Sequence, residues 1–134
     1  MVVFGSAALL FVLIIYLFLS RGAEGEIYRK FGVSSVSFTL VSSDLGRSSS
    51  GRRLTAFGIT GEADAVFISK SGQQVVVGEF KSRKFKGYVR PYELFQVMLY
   101  IGLAQHFFGA SKASGVIAYA DGKVHIAFDQ AAFD

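Results

Sequence analysis

"GEADAVFISKSGQQVVVGEFKSR", Gly61 to Arg83, decides the fold. Two apolar runs rich in β-branched residues flank the Ser71–Gly72 pair, a pattern that predicts an antiparallel hairpin. An aspartate opens the first arm and a Glu-x-Lys triplet closes the second. Side chains on a strand alternate, so Val75, Val77, Glu79 and Lys81 share one face while Val76, Gly78 and Phe80 share the other. If Asp64 begins the neighbouring strand, its carboxylate lies beside Glu79. Two hard oxygen donors and an ammonium then meet in one small volume. A divalent cation relieves the repulsion between such carboxylates, and Mg²⁺ suits them because it binds through one or two carboxylates and completes its shell with water and phosphate. The plainer reading is a surface ion pair between Glu79 and Lys81, with Asp64 a strand-end residue in water.

Beyond this hairpin, Pro91 marks a helix start, since its fixed φ suits the first turn. "PYELFQVMLYIGLAQHFF" is apolar on most sides and Gly109 supplies a stop, so the spacing predicts a helix over Pro91–Phe108 packed on a sheet. "SGVIAYA" and "KVHIAF" predict two short strands joined by Asp121 and Gly122. Upstream, "VSSVSFTLV", Val33 to Val41, alternates as a half-buried strand with Val36, Phe38 and Leu40 on one face. "SSDLGRSSSGRR", Ser42 to Arg53, has turn chemistry and no apolar period, which predicts a basic loop. "LTAFGIT" leads from that loop into the hairpin.

Val2 to Ser20 carries no charge, and about 18 apolar residues at roughly 1.5 Å each reach about 27 Å, near the hydrocarbon thickness of a bilayer. This predicts a transmembrane anchor over residues 1–20, with Tyr16 near one interface, ahead of a domain over residues 21–134. A cleaved signal peptide fits less well, for want of a cationic segment before the span and a good cleavage site after it. A helix buried in the core fits less well too, because so small a domain hardly covers it on all sides. Arg21, Arg29 and Lys30 follow the span, so the positive-inside rule places the C-terminal domain in the cytoplasm of a single-pass membrane protein. "RGAEGEIYRKF" continues as a short helix ending near Gly32.

The chain has 134 residues, 14 Lys and Arg against 10 Asp and Glu, and no cysteine. One domain is expected at this length. The net charge of +4 favours polyanions or an anionic surface as partners. Without cysteine, disulfides, thiolate zinc and cysteine-ligated iron–sulfur clusters are excluded, so any metal is held by oxygen or imidazole.

Three motifs occur in order: "GEAD" at Gly61–Asp64, "EFK" at Glu79–Lys81 and "QVMLY" at Gln96–Tyr100. Together they resemble the PD-(D/E)XK nuclease superfamily, in its branch of RecB-like and CRISPR-adaptation exonuclease domains, over about Phe57 to Leu103. The resemblance implies an α/β fold: a restriction-endonuclease-like core with a mixed central sheet flanked by helices, here preceded by the transmembrane helix. It implies Asp64, Glu79 and the backbone carbonyl of Phe80 as ligands of Mg²⁺ or Mn²⁺, Lys81 as the catalytic lysine, and Gln96 and Tyr100 as supports of the site and the nucleic acid backbone. Gln96 and Tyr100 also share a helix face by their spacing alone. The family often carries a further acid on its first helix, for which Glu26 and, less well placed, Glu24 are the candidates; with neither, one metal ion is expected rather than two. Many adaptation exonucleases hold an iron–sulfur cluster, which this chain lacks the cysteines to bind. His106 and His125 suit ordinary helix-end and strand positions.

Arg83, Lys84, Lys86 and Arg90, interleaved with Phe85 and Tyr88, suit a phosphate track with stacking positions, and Arg52 and Arg53 are a second basic candidate. The expected activity is thus hydrolysis of DNA phosphodiesters, with RNA left open as substrate and both exo- and endonucleolytic modes open. The contrasting expectation is a non-catalytic, membrane-tethered module that binds nucleic acid or protein on the same fold. In a third, the anchor and basic loop bind lipid alone.

Overall fold

The computed structural model describes residues 2–43 and 53–128. The expected basic loop, including Arg52, lies almost wholly outside the described residues; Arg53 is described and exposed. The elements run α1 (Val2–Phe31), β1 (Phe38–Ser43), β2 (Leu54–Ala56), β3 (Ile59–Gly61), β4 (Ala65–Ser69), β5 (Gln74–Phe80), α2 (Pro91–Phe108), β6 (Lys112–Tyr119) and β7 (Gly122–Ala127). The main sheet has the order β1-β4-β5-β6-β7, and a separate two-stranded sheet pairs β2 with β3. Among the described strands only β5 and β6 run parallel, with Glu79 opposite Ile117 and Phe80 opposite Ala118. A parallel neighbour requires a crossover, and α2 provides it.

The alternation expected for β5 is what organises the core. Val75 and Val77 pack with Val66, Ile117 and the α2 residues Val97 and Ile101 on one face. Val76 faces the other way, where Ile27 and Phe31 of α1 meet Phe67 and Val116. The result is a sheet covered on both faces, which explains why β5 is valine-rich on both. Gly78 faces Phe31 so closely that a Cβ there would stand 2.8 Å from the ring. Absence of a side chain at this position lets the aromatic ring lie flat on the central strand.

The helix over Pro91–Phe108 has the expected bounds, with Gly109 in the left-handed region at φ 66° donating its N–H to His106 O. The β4–β5 and β6–β7 hairpins also form as expected. The first strand begins later, at Phe38, because residues 34–37 close a turn in which Phe38 N–H bonds Ser34 O at 3.0 Å. Val36, expected on its inner face, is 78% exposed. "LTAFGIT" is not a lead-in but the β2–β3 hairpin laid against α2, turned at Phe57 and Gly58, both with positive φ.

The N-terminal expectation requires correction. The helix runs unbroken to Phe31, as the expected continuation to near Gly32 requires, but its last turns are a structural layer of the domain through Ile27 and Phe31. Among the described residues no helix is long and apolar enough to cross a membrane. The expected class, a restriction-endonuclease-like core preceded by a transmembrane helix, is therefore replaced by a mixed α/β domain in which α1 covers one sheet face. The single-pass placement with a cytoplasmic C-terminal domain loses its basis with the span.

If the Gly78–Phe31 contact fixes α1 on the sheet, Gly78→Ala will destabilise the fold by about 1–3 kcal/mol through overpacking. Trimming the ring with Phe31→Leu should recover part of that loss in the double variant. Urea denaturation of the two single variants and the double variant measures the coupling, and strict additivity would refute the contact.

Candidate functional site

The carboxyl end of β5 is where the three motifs meet. Asp64 stands just before β4, and its Oδ2 accepts the Phe80 N–H at 2.8 Å. The Asp64 N–H points back to Glu79 Oε1 at 3.4 Å. The Asp64 carboxylate therefore holds the Phe80 backbone and the Glu79 carboxylate faces the Asp64 backbone across the hairpin, as expected if Asp64 opens the adjacent strand. Glu79 is only 4% exposed. Burial first, and the neighbouring Asp64 charge second, push its carboxyl up from an ordinary 4.5 to about 8; Lys81 and the Asp64 N–H only partly offset them.

Lys81 leaves the sheet on the same side as Glu79, and its Nζ donates to Gln96 Oε1 at 3.3 Å. Gln96 Nε2 in turn donates to the Tyr100 hydroxyl at 3.4 Å. Both lie on the sheet-facing side of α2, one turn apart. The ring of Tyr100 packs on Gly61, where a Cβ would come within 2.7 Å. The glycine of "GEAD" thus makes room for the tyrosine of "QVMLY". Asp64 and Glu79 on one side, and Lys81, Gln96 and Tyr100 on the other, thus gather at the end of β5.

Glu26 is not among them. It is exposed on α1 and lines a separate cleft with Arg29 and Lys30. Glu24 is exposed as well. Among the described residues no third His, Asp or Glu joins Asp64 and Glu79, so the set supplies two carboxylates and the Phe80 carbonyl. That donor set fits a hard divalent cation that keeps most of its waters.

The basic segment divides in two. Arg83 ion-pairs with Glu93 of α2, which is 1% exposed and accepts a second hydrogen bond from the Tyr119 hydroxyl at 3.0 Å. The guanidinium also lies 5.0 Å from the Tyr119 ring centroid. Burial raises the Glu93 carboxyl, but the bonds from Arg83 and Tyr119 outweigh it and hold the group below its usual range. Arg83, with 26% of its side chain exposed, is thus tied to α2 by an internal partner. Arg90 bonds the Tyr92 hydroxyl at 3.1 Å, whereas Lys84, Lys86 and Tyr88 are exposed. Glu93 escaped the sequence reading because a first-turn acid looks like an ordinary helix-dipole partner. Its position three residues before Gln96, on the same helix face, was the available signal.

Comparison with known proteins adds no family: no protein-family model and no curated protein matches the chain. Among solved structures, one described as "Crystal structure of SSO0001" aligns at 24% identity with a TM-score of 0.40, over 91% of this chain and 56% of the other. The chain therefore spans little more than half the length of that protein.

The Glu79 carboxyl ionises near 4.5 when exposed and near 8 in the fold, so between these values the folded state binds more protons than the unfolded one. Stability should fall as pH rises through this window. Thermal denaturation of the metal-free protein will show that decline, and Glu79→Gln will flatten it. Mn²⁺, which binds the ionised carboxylates, will raise the melting temperature more at the upper end of the window than at the lower. Equal pH slopes in wild type and Glu79→Gln would remove Glu79 as the titrating group.

Proposed function

We propose that the chain is a divalent-metal-dependent nuclease that hydrolyses DNA phosphodiesters, the activity implied by its resemblance to the PD-(D/E)XK superfamily. The observation that supports this reading best is the meeting of the Asp64–Glu79 carboxylate pair with a lysine held by Gln96. A structural ion pair needs one acid and one base. Here a second carboxylate is brought against the first at a cost in stability, an arrangement expected of a reaction site.

In this reading Asp64, Glu79 and the Phe80 carbonyl hold Mg²⁺ or Mn²⁺. Once bound, the cation polarises the phosphoryl oxygen and lowers the pKa of a coordinated water. Lys81 faces the same volume, where its ammonium offsets the charge that grows on the phosphate oxygens as water attacks and the leaving oxygen departs. Gln96 holds the lysine through its amide oxygen, and Tyr100, bonded to the amide nitrogen and wedged on Gly61, fixes the rotamer of Gln96. Lys84 and Lys86, exposed on the segment that follows Lys81, present charge to flanking phosphates. RNA is the alternative substrate, because no residue of this set distinguishes the sugar.

The test incubates the full chain with linear and circular DNA, and with RNA, in the presence and absence of Mn²⁺. Cleavage should require the metal, and Asp64→Ala, Glu79→Ala and Lys81→Ala should each lower its rate by at least about 10²-fold while leaving the protein folded. Activity retained in all three variants would overturn the mechanism. Tight DNA binding with no cleavage by the wild type would assign a non-catalytic binding module instead.

A further inference from the structure

On the opposite face of the sheet from Lys81, the end of β5 borders a cleft of about 770 Å³. Its walls are the last turns of α1 (Glu26, Arg29, Lys30), the ring of Phe80, and the β6–β7 turn with Asp121 and Lys123. Three cations and two acids line it, yet the charges do not pair. Among the described residues the sole ion pair is Arg83–Glu93, although Glu26 stands one helical turn before Lys30, where such pairs commonly close. Asp121 is occupied elsewhere: its Oδ1 accepts the Phe85 N–H at 2.8 Å and tethers the segment after Lys81. Lys30 Nζ lies 4.0 Å above the Phe80 ring, and the Lys123 side chain runs along the end of α1 at Gly32. Lys30 and Lys123 are therefore held in the cleft by packing, not by counter-charges.

We infer that this cleft binds the phosphodiester backbone of a nucleic-acid strand, through Arg29, Lys30 and Lys123. The inference rests on the nuclease reading for its choice of polyanion. Phe80 links the two places: its N–H is bonded to Asp64 and its ring forms the cleft wall. Lys30 covers the Phe80 ring, which leaves charge rather than base stacking as the recognition element. A helix C-terminus also attracts cations, but that role calls for no cleft and none of the charge contributed by the β6–β7 turn.

The decisive measurement is binding of a fluorescein-labelled DNA single strand to the full chain in EDTA, by polarisation across a range of salt. Because no metal is present, binding is read independently of cutting. The triple variant Arg29→Ala, Lys30→Ala, Lys123→Ala should lower the slope of log affinity against log salt by about 2, at roughly 0.7 per phosphate for single strands. Glu26→Gln, which removes opposing charge without enlarging the cleft, should tighten binding. A helix-capping role alone would lower the melting temperature of the triple variant and leave the slope and the Glu26→Gln affinity unchanged. That outcome, or no wild-type binding at low salt, overturns the inference. Loss of slope in a protein that never cuts DNA would instead retain the cleft and remove the nuclease reading.

Discussion

Everything at the candidate site follows from one constraint: β5 is covered on both faces. Val75 and Val77 are taken by α2 and its neighbours, and Val76 by α1. A strand in that position has no solvent face on which to carry charge. Polar side chains therefore appear only where it leaves the sheet, and there they crowd. Glu79 still lies within the buried part of the strand, Lys81 is one step beyond it, and Asp64 enters from the antiparallel neighbour. Even Gly78 belongs to this constraint, since the ring of Phe31 fills the space its side chain would need.

The same crowding makes the carboxylate pair unfavourable in isolation. Glu79 is desolvated and faces Asp64, and the lysine nearby does not fully compensate. The backbone N–H groups of Asp64 and Phe80 hold the two carboxylates in place, so the strain is electrostatic while the hydrogen bonding is satisfied. A bound cation would remove the electrostatic part and leave the hydrogen bonds intact. In the proposed reading, affinity for a metal and instability of the metal-free site would be two readings of one interaction.

Much of the fold was legible in the sequence because local signals and tertiary context agree. Pro91 and Gly109 bound α2, and Ser71–Gly72 divides the central hairpin. Where they disagree, the sequence misleads. Phe57 sits at φ 56° beside Gly58 at φ 74°, a conformation so uncommon for a bulky residue that "FG" gives little warning of a hairpin. Hydropathy over Val2–Ser20 overrode the weaker sign that Ile27 and Phe31 recur at helical spacing and belong to the core. At the site, the order of Asp64, Glu79, Lys81, Gln96 and Tyr100 was readable, since each lies on an element whose period was clear. The partners of Glu93 were not, because only tertiary structure shows that Arg83 and Tyr119 close over it.

That buried triad changes the meaning of the basic segment. A run of exposed cations on a loop binds phosphate poorly if the loop must first be ordered, since fixing each residue costs about 1–2 kcal/mol of conformational entropy. Here the segment is fixed beforehand at several points. Lys81 N–H bonds Ala118 O at 2.8 Å, Arg83 O accepts the Ala120 N–H at 3.0 Å, and Asp121 accepts the Phe85 N–H. The Arg83 side chain fastens the segment to α2 through Glu93. Lys84 and Lys86 therefore project from a backbone already attached to both β6 and the β6–β7 turn. The ion pair between Arg83 and the buried Glu93 thus holds in place the backbone from which Lys84 and Lys86 project.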